Sequence, residues 1–126
     1  MGLLKKIFGE TPEQKKSKIN WIKLNSMEQL NTVSNSKKTV GIFKHSTRCG
    51  TSIMVKRRFE SSYDLDAEEM DLYYLDLLSY REISEALATQ YNVMHQSPQL
   101  LIIKNNQLIT AESHSDVNYL DLKSVI

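Results

Sequence analysis

Cys49 is the single cysteine of this chain, and it stands in the run Thr47-Arg48-Cys49-Gly50-Thr51-Ser52, between an apolar strand-like segment and a helix-like one. A cysteine that opens a helix meets unpaired backbone N–H groups and the positive end of the helix dipole. Both favour the thiolate, the species that attacks disulfides. Ser52 lies three residues further on, at the spacing where a dithiol redox site carries its second cysteine. Serine cannot close a disulfide, so a redox-active Cys49 is monothiol and must be resolved by a thiol from outside the chain. Three neighbours are candidates to stabilise the thiolate: Ser52 across one helical turn, and Arg48 and His45 just before the cysteine. A lone cysteine is by default a small buried hydrophobe. The strand-to-helix position, with Arg48 and Gly50 on either side, sets Cys49 apart from that default. His45, His95 and His114 share no metal-ligand spacing, and no metal site is expected.

Such a cysteine needs a strand to aim it and a helix to follow it. Thr39-Val40-Gly41-Ile42-Phe43 is a β-branched and apolar run of the kind buried on both faces at the centre of a parallel sheet. After the cysteine, Ile53, Met54, Val55 and Phe59 are expected to cover a core while Lys56, Arg57, Arg58 and Glu60 face water, which predicts a helix from about Thr51 to Ser62. Upstream, Trp21 to Leu24 reads as a short strand, and Ser26 as the cap of a helix carrying Met27, Leu30 and Val33 on one face. Downstream, an acidic surface connection from Asp64 to Asp71 leads into a strand at Leu72 to Leu75. Ser79 and Glu82 have the spacing of a capping box for a helix with Ile83, Leu87 and Tyr91 aligned. Leu100 to Ile103, a turn at Asn105-Asn106 and Gln107 to Ala111 form a hairpin, and Asp116 to Val125 a last short helix.

The 126 residues, 40% of them hydrophobic, suit one core-forming domain, which starts near Ile19 and runs to residue 126. Residues 1–18 read as a flexible basic extension: Met1 to Gly9 is apolar but broken by Lys5-Lys6, too early for a signal-peptide core, and Lys6 stands where a myristoylation pattern needs Ser or Thr. Sixteen Lys and Arg against fifteen Asp and Glu give a formal charge of +1, no electrostatic reason to expect nucleic acid or a membrane surface as partner. No run approaches the roughly 20 apolar residues of a membrane span. One cysteine fits a reducing cytosol better than a secreted disulfide scaffold, so a cytoplasmic location is expected.

Three strand-helix units followed by a hairpin and a helix describe an α/β domain, a mixed central sheet of about five strands with helices on both faces. This layout resembles the thioredoxin fold. Ser97-Pro98-Gln99 stands directly before the fourth strand, where thioredoxin-like proteins carry a cis-proline. On that resemblance Pro98 lies beside Cys49, and Ser97 offers backbone groups to an extended substrate.

Three segments narrow the likeness: Phe43-Lys44-His45-Ser46-Thr47-Arg48-Cys49, Leu75-Asp76-Leu77-Leu78-Ser79-Tyr80-Arg81-Glu82-Ile83-Ser84 and His95-Gln96-Ser97-Pro98-Gln99. Together they resemble the YtxJ family of monothiol thioredoxin-like proteins associated with bacillithiol. The resemblance implies a bacilliredoxin-like thiol-disulfide oxidoreductase that removes bacillithiol from mixed disulfides on oxidised cytosolic proteins. No bound cofactor is implied, bacillithiol being a co-substrate. Because bacillithiol carries a malate moiety, the resemblance also makes Lys44 or Arg48 a carboxylate contact, alongside Ser97 and Pro98 in substrate binding. The family pattern has Pro and Ile where this chain has Gly50 and Thr51, so the proline that preorganises the helix start is absent. Two other classes share parts of the pattern. Monothiol glutaredoxins, which carry iron-sulfur clusters, also use Cys-Gly-x-Ser, yet the Gly-Gly that holds glutathione there has no counterpart in Ile103 to Leu108. A thioredoxin-like binding module with an inert Cys49 is the other.

Overall fold

In the computed structural model, which describes residues 19–126, the order of elements is β1 (Ile22–Lys23), α1 (Glu28–Ser34), β2 (Thr39–His45), α2 (Gly50–Ser62), β3 (Met70–Asp76), α3 (Arg81–Gln90), β4 (Gln99–Lys104) and β5 (Gln107–Ser113). Two 3₁₀ turns, His114–Tyr119 and Leu122–Ser124, close the chain. The predicted basic extension over 1–18 lies outside the described residues. The five strands form one sheet in the order β1-β3-β2-β4-β5. β1 and β2 run parallel to β3, while β4 is antiparallel to both β2 and β5.

Side-chain alternation along the central strand divides the interior into two layers. Val40 and Ile42 of β2 pack with Leu101 and Ile103 of β4 against Leu30 and Val33 of α1 and Ile83 and Leu87 of α3. Phe43 packs on the other face with Leu100 and Ile102 against Val55 and Phe59 of α2 and Val117 of the first 3₁₀ turn. Each such fully buried aliphatic or aromatic side chain contributes about 1.5–3 kcal/mol relative to exposure. Every residue of β2 is buried, as its composition predicts, and the strand runs two residues past the apolar run to take in Lys44 and His45.

Several local expectations are corrected. Ile53 and Met54 of α2 are exposed, because the inward stripe of this helix starts at Ser52 and continues through Val55 and Phe59, the three- and four-residue steps of one helical face. Met27 is likewise exposed. Ser79 does not cap α3: its hydroxyl donates to Asp76 Oδ2 at 3.1 Å, and Tyr80 takes the cap position. At the start of α1 the cap works in reverse, with Gln29 Oε1 accepting from the N–H groups of Asn25 and Ser26. The hairpin turn has both asparagines in the left-handed region, Asn105 at φ 51° and Asn106 at φ 59°, as a type I′ turn requires. The last predicted helix is instead the pair of 3₁₀ turns, broken at Leu120, whose backbone is extended.

Candidate active site

β2 delivers the chain to its carboxyl end at His45, and Ser46 to Arg48 turn it into α2. Cys49 closes that turn with its N–H on Ser46 O at 3.2 Å. Its backbone is extended, φ −104° and ψ 118°, and it is the cap residue of α2. The first intrahelical bond runs from Ile53 N–H to Cys49 O at 3.0 Å, which leaves the N–H groups of Gly50, Thr51 and Ser52 without an intrahelical acceptor beside the half-buried Cys49. No hydrogen bond from the thiol caps the helix. Arg48 is exposed beside it, and Gly50 has open space where a Cβ would stand.

The β2–β4 register pairs Lys44 with Gln99, which brings the preceding Ser97-Pro98 to the end of the sheet from which the Cys49 turn departs. The Ser97–Pro98 peptide bond is cis. Pro98 O accepts from His114 N–H at 2.8 Å, and the buried Ser97 hydroxyl has no hydrogen-bond partner among the described residues.

Because consecutive strand residues point to opposite faces, Lys44 and His45 enter different layers. His45 turns toward α2. Its Nδ1 lies 2.6 Å from Ser52 Oγ, which also accepts from Ser46 N–H at 3.1 Å, so Ser52 is wholly buried and ties the helix to the turn. Burial lowers the His45 pKa below the usual 6.5, helped by Lys56 and opposed by Asp76 and Glu60, and the ring is therefore neutral at pH 7. Lys44 points into the layer of α1 and α3. It is wholly buried, and its Nζ sits 2.7 Å from Nδ1 of His95, a residue that also approaches Ser84 Oγ at 3.3 Å. Burial brings the Lys44 pKa down to about 8.

The turn thus sets Cys49 and Arg48 next to the His45–Ser52 contact at the start of α2, with Ser97 and Pro98 at the same sheet end, while Lys44 points to the opposite face. His95 was not singled out for chemistry by the sequence. Only the alternation along β2, read two residues beyond its apolar run, hints that Lys44 points inward and needs a partner.

The profile of the family described as monothiol bacilliredoxin BrxC matches residues 22–122. The chain belongs to the monothiol bacilliredoxin family. Solved structures agree on the fold of this bacilliredoxin. A thioredoxin-fold protein described as an oxidoreductase is 32% identical with a TM-score of 0.72, covering 83% of this chain and 92% of its own. The Malassezia sympodialis thioredoxin Mala s 13 is 22% identical, TM-score 0.67, over 87% of this chain and 88% of its own. Thioredoxin from Trypanosoma brucei brucei is 16% identical, TM-score 0.66, over 83% and 88%. The last two speak to the fold alone, and the fold is that of thioredoxin. A single cysteine in a bacilliredoxin of this fold makes the function thiol redox chemistry. Among the described residues, no helix is long and apolar enough to cross a membrane.

Proposed function

We propose that this bacilliredoxin removes bacillithiol from mixed disulfides on oxidised cytosolic proteins, with Cys49 as the nucleophile. The observation that carries the reading is a half-buried cysteine at the N-cap position of α2 with a buried serine, not a second thiol, one helical turn inward. In the first step the Cys49 thiolate attacks the bacillithiol sulfur of the mixed disulfide. A new disulfide forms between Cys49 and bacillithiol, the old one breaks, and the client protein leaves as a thiolate that takes up a proton. In the second step the thiolate of another bacillithiol attacks the bound bacillithiol sulfur, releasing bacillithiol disulfide and returning Cys49 to its thiolate form. Overall one disulfide is exchanged for another: the client sulfur is reduced, the sulfur of the incoming bacillithiol is oxidised, and the transferred bacillithiol sulfur stays at the disulfide level throughout.

Ser52 serves the thiolate through the tautomer of His45. Ser46 N–H already occupies one acceptor site of Ser52 Oγ. When the imidazole proton is on Nδ1, His45 donates to the second, and the hydroxyl proton is free for Cys49; when it is on Nε2, His45 holds that proton instead. On this reading Arg48, exposed and adjacent to Cys49 in the chain, receives one carboxylate of bacillithiol, and the Ser97 backbone beside Pro98 receives the client. Bacillithiol acts as co-substrate and no resident cofactor enters the reaction.

Intact mass after exposure to bacillithiol disulfide tests the reading. Wild type gains one bacillithiol and loses it on addition of reduced bacillithiol, and Cys49→Ser gains nothing. A wild-type chain that forms no adduct would sink the proposal.

A further inference from the structure

Lys44 is a buried cation without a carboxylate. An ammonium offers three N–H donors, and among the described residues its one hydrogen bond goes to His95 Nδ1 at 2.7 Å. Buried charges are ordinarily paired, because an uncompensated one keeps none of the hydration it gave up. The ion pairs formed among the described residues lie elsewhere, Lys38 with Asp71, Lys56 with Glu60 and Lys123 with Asp64.

His95 stands between this lysine and a cleft of about 560 Å³, whose lining also includes Arg81, Ser84 and Glu85 of α3. Such a volume is in the range that small ligands occupy. An ammonium has no lone pair, so Lys44 donates and Nδ1 accepts, which leaves the proton of the neutral imidazole on Nε2. His95 is thereby a fixed N–H donor in the cleft wall. One turn before Glu85 on α3, Arg81 is exposed, and among the described residues it forms no ion pair, with Glu85 or any other acid. Cys49 is not in the lining.

We propose that this cleft is a binding site for a small carboxylate, held by the Arg81 guanidinium and His95 Nε2–H, with Lys44 supplying the counter-charge from behind the imidazole. One guanidinium beside the acid Glu85 matches the planar fork of a carboxylate and falls short of the charge that a phosphate dianion asks for. The carboxylate has two possible sources: the acid arm of the small thiol exchanged at Cys49, an assignment that rests on the proposed function, or a free organic acid that binds independently of the thiol chemistry.

Titration of the ¹⁵N-labelled full chain with malate tests the site. Saturable shifts are expected at the amides of residues 81–88 and at the His95 ring, with affinity weakened by about tenfold or more in Arg81→Ala and in Lys44→Met. Absence of saturable shifts, unchanged affinity in Arg81→Ala, or tighter binding of inorganic phosphate overturns the proposal. The measurement is made equally in Cys49→Ser, so a chain that takes malate but never forms a bacillithiol adduct loses the proposed function and keeps the site. Kinetics on a bacillithiolated client separate the two sources. Competitive inhibition by malate, with KM raised and kcat kept in Arg81→Ala, assigns the cleft to the acid arm; malate binding without any effect on exchange assigns it to a free acid, and both results uphold a carboxylate site.

Discussion

Gly50 occupies the first position of α2, where a proline costs no hydrogen bond and its fixed φ suits the helix. The surroundings accept one: a built Cβ meets nothing within 4 Å, and Cys49 before it is extended, the conformation that a following proline imposes. Gly50→Pro is therefore expected to stabilise the fold by about 0.4–1 kcal/mol through the unfolded chain, read as a raised midpoint in urea. An unchanged or lowered midpoint would mean that the turn relies on the freedom of glycine. The strand-to-helix turn that carries Cys49 was legible in the sequence because the cysteine, its flanks and the helix start are all local. The partner of Ser52 was not. A serine one turn inside a helix has the same sequence signature whether or not its hydroxyl meets the imidazole of the preceding strand, as this one does.

At the level of elements, β2 is the part that admits least change. A Cβ on Gly41 would meet Leu72 Cδ2 of β3 at 2.6 Å and Met70 Sδ at 3.2 Å, both buried in the layer under α2. Gly41→Ala is expected to cost about 1–3 kcal/mol by overpacking. Equilibrium unfolding measures it, and a companion Leu72→Val that recovers part of the loss would locate the clash. Element order, the parallel-then-antiparallel sheet and the hairpin turn followed from period and turn chemistry, as the buried run of β2 and Asn105-Asn106 illustrate. The face of α2 did not. Its inward stripe includes Ser52, a polar residue that hydrophobic periodicity discounts in favour of the exposed Ile53 and Met54. Ser79 shows the same limit, since Asp76 claims its hydroxyl before the helix can.

For the whole molecule the buried lysine makes stability depend on pH in an unusual direction. Burial holds Lys44 at about 8 in the folded chain, whereas it titrates near 10.5 when unfolded. Between those values the unfolded chain binds a proton that the folded chain has released, so stability rises with pH across that window, by up to about 3 kcal/mol. Tyr63 acts oppositely. Burial, with Glu69, Asp71 and Asp64, pushes it up to about 12, so the folded phenol keeps its proton where the unfolded one ionises from about 10, and stability falls above that point. Denaturant titrations at pH 7 and 9.5 are expected to show a gain for wild type and none of that gain for Lys44→Met. An equal gain in the variant would remove Lys44 as its source. Lys44 and His45, adjacent in sequence and sent to opposite faces, also set how the gene can vary in length. Deleting one residue upstream in β2, with its far end held by the Cys49 turn, would invert the faces of the residues before the gap, whereas an insertion at the exposed Asn105-Asn106 tip keeps every face and puts at stake only the bond from the Tyr91 hydroxyl to Asn106 Oδ1 at 2.9 Å.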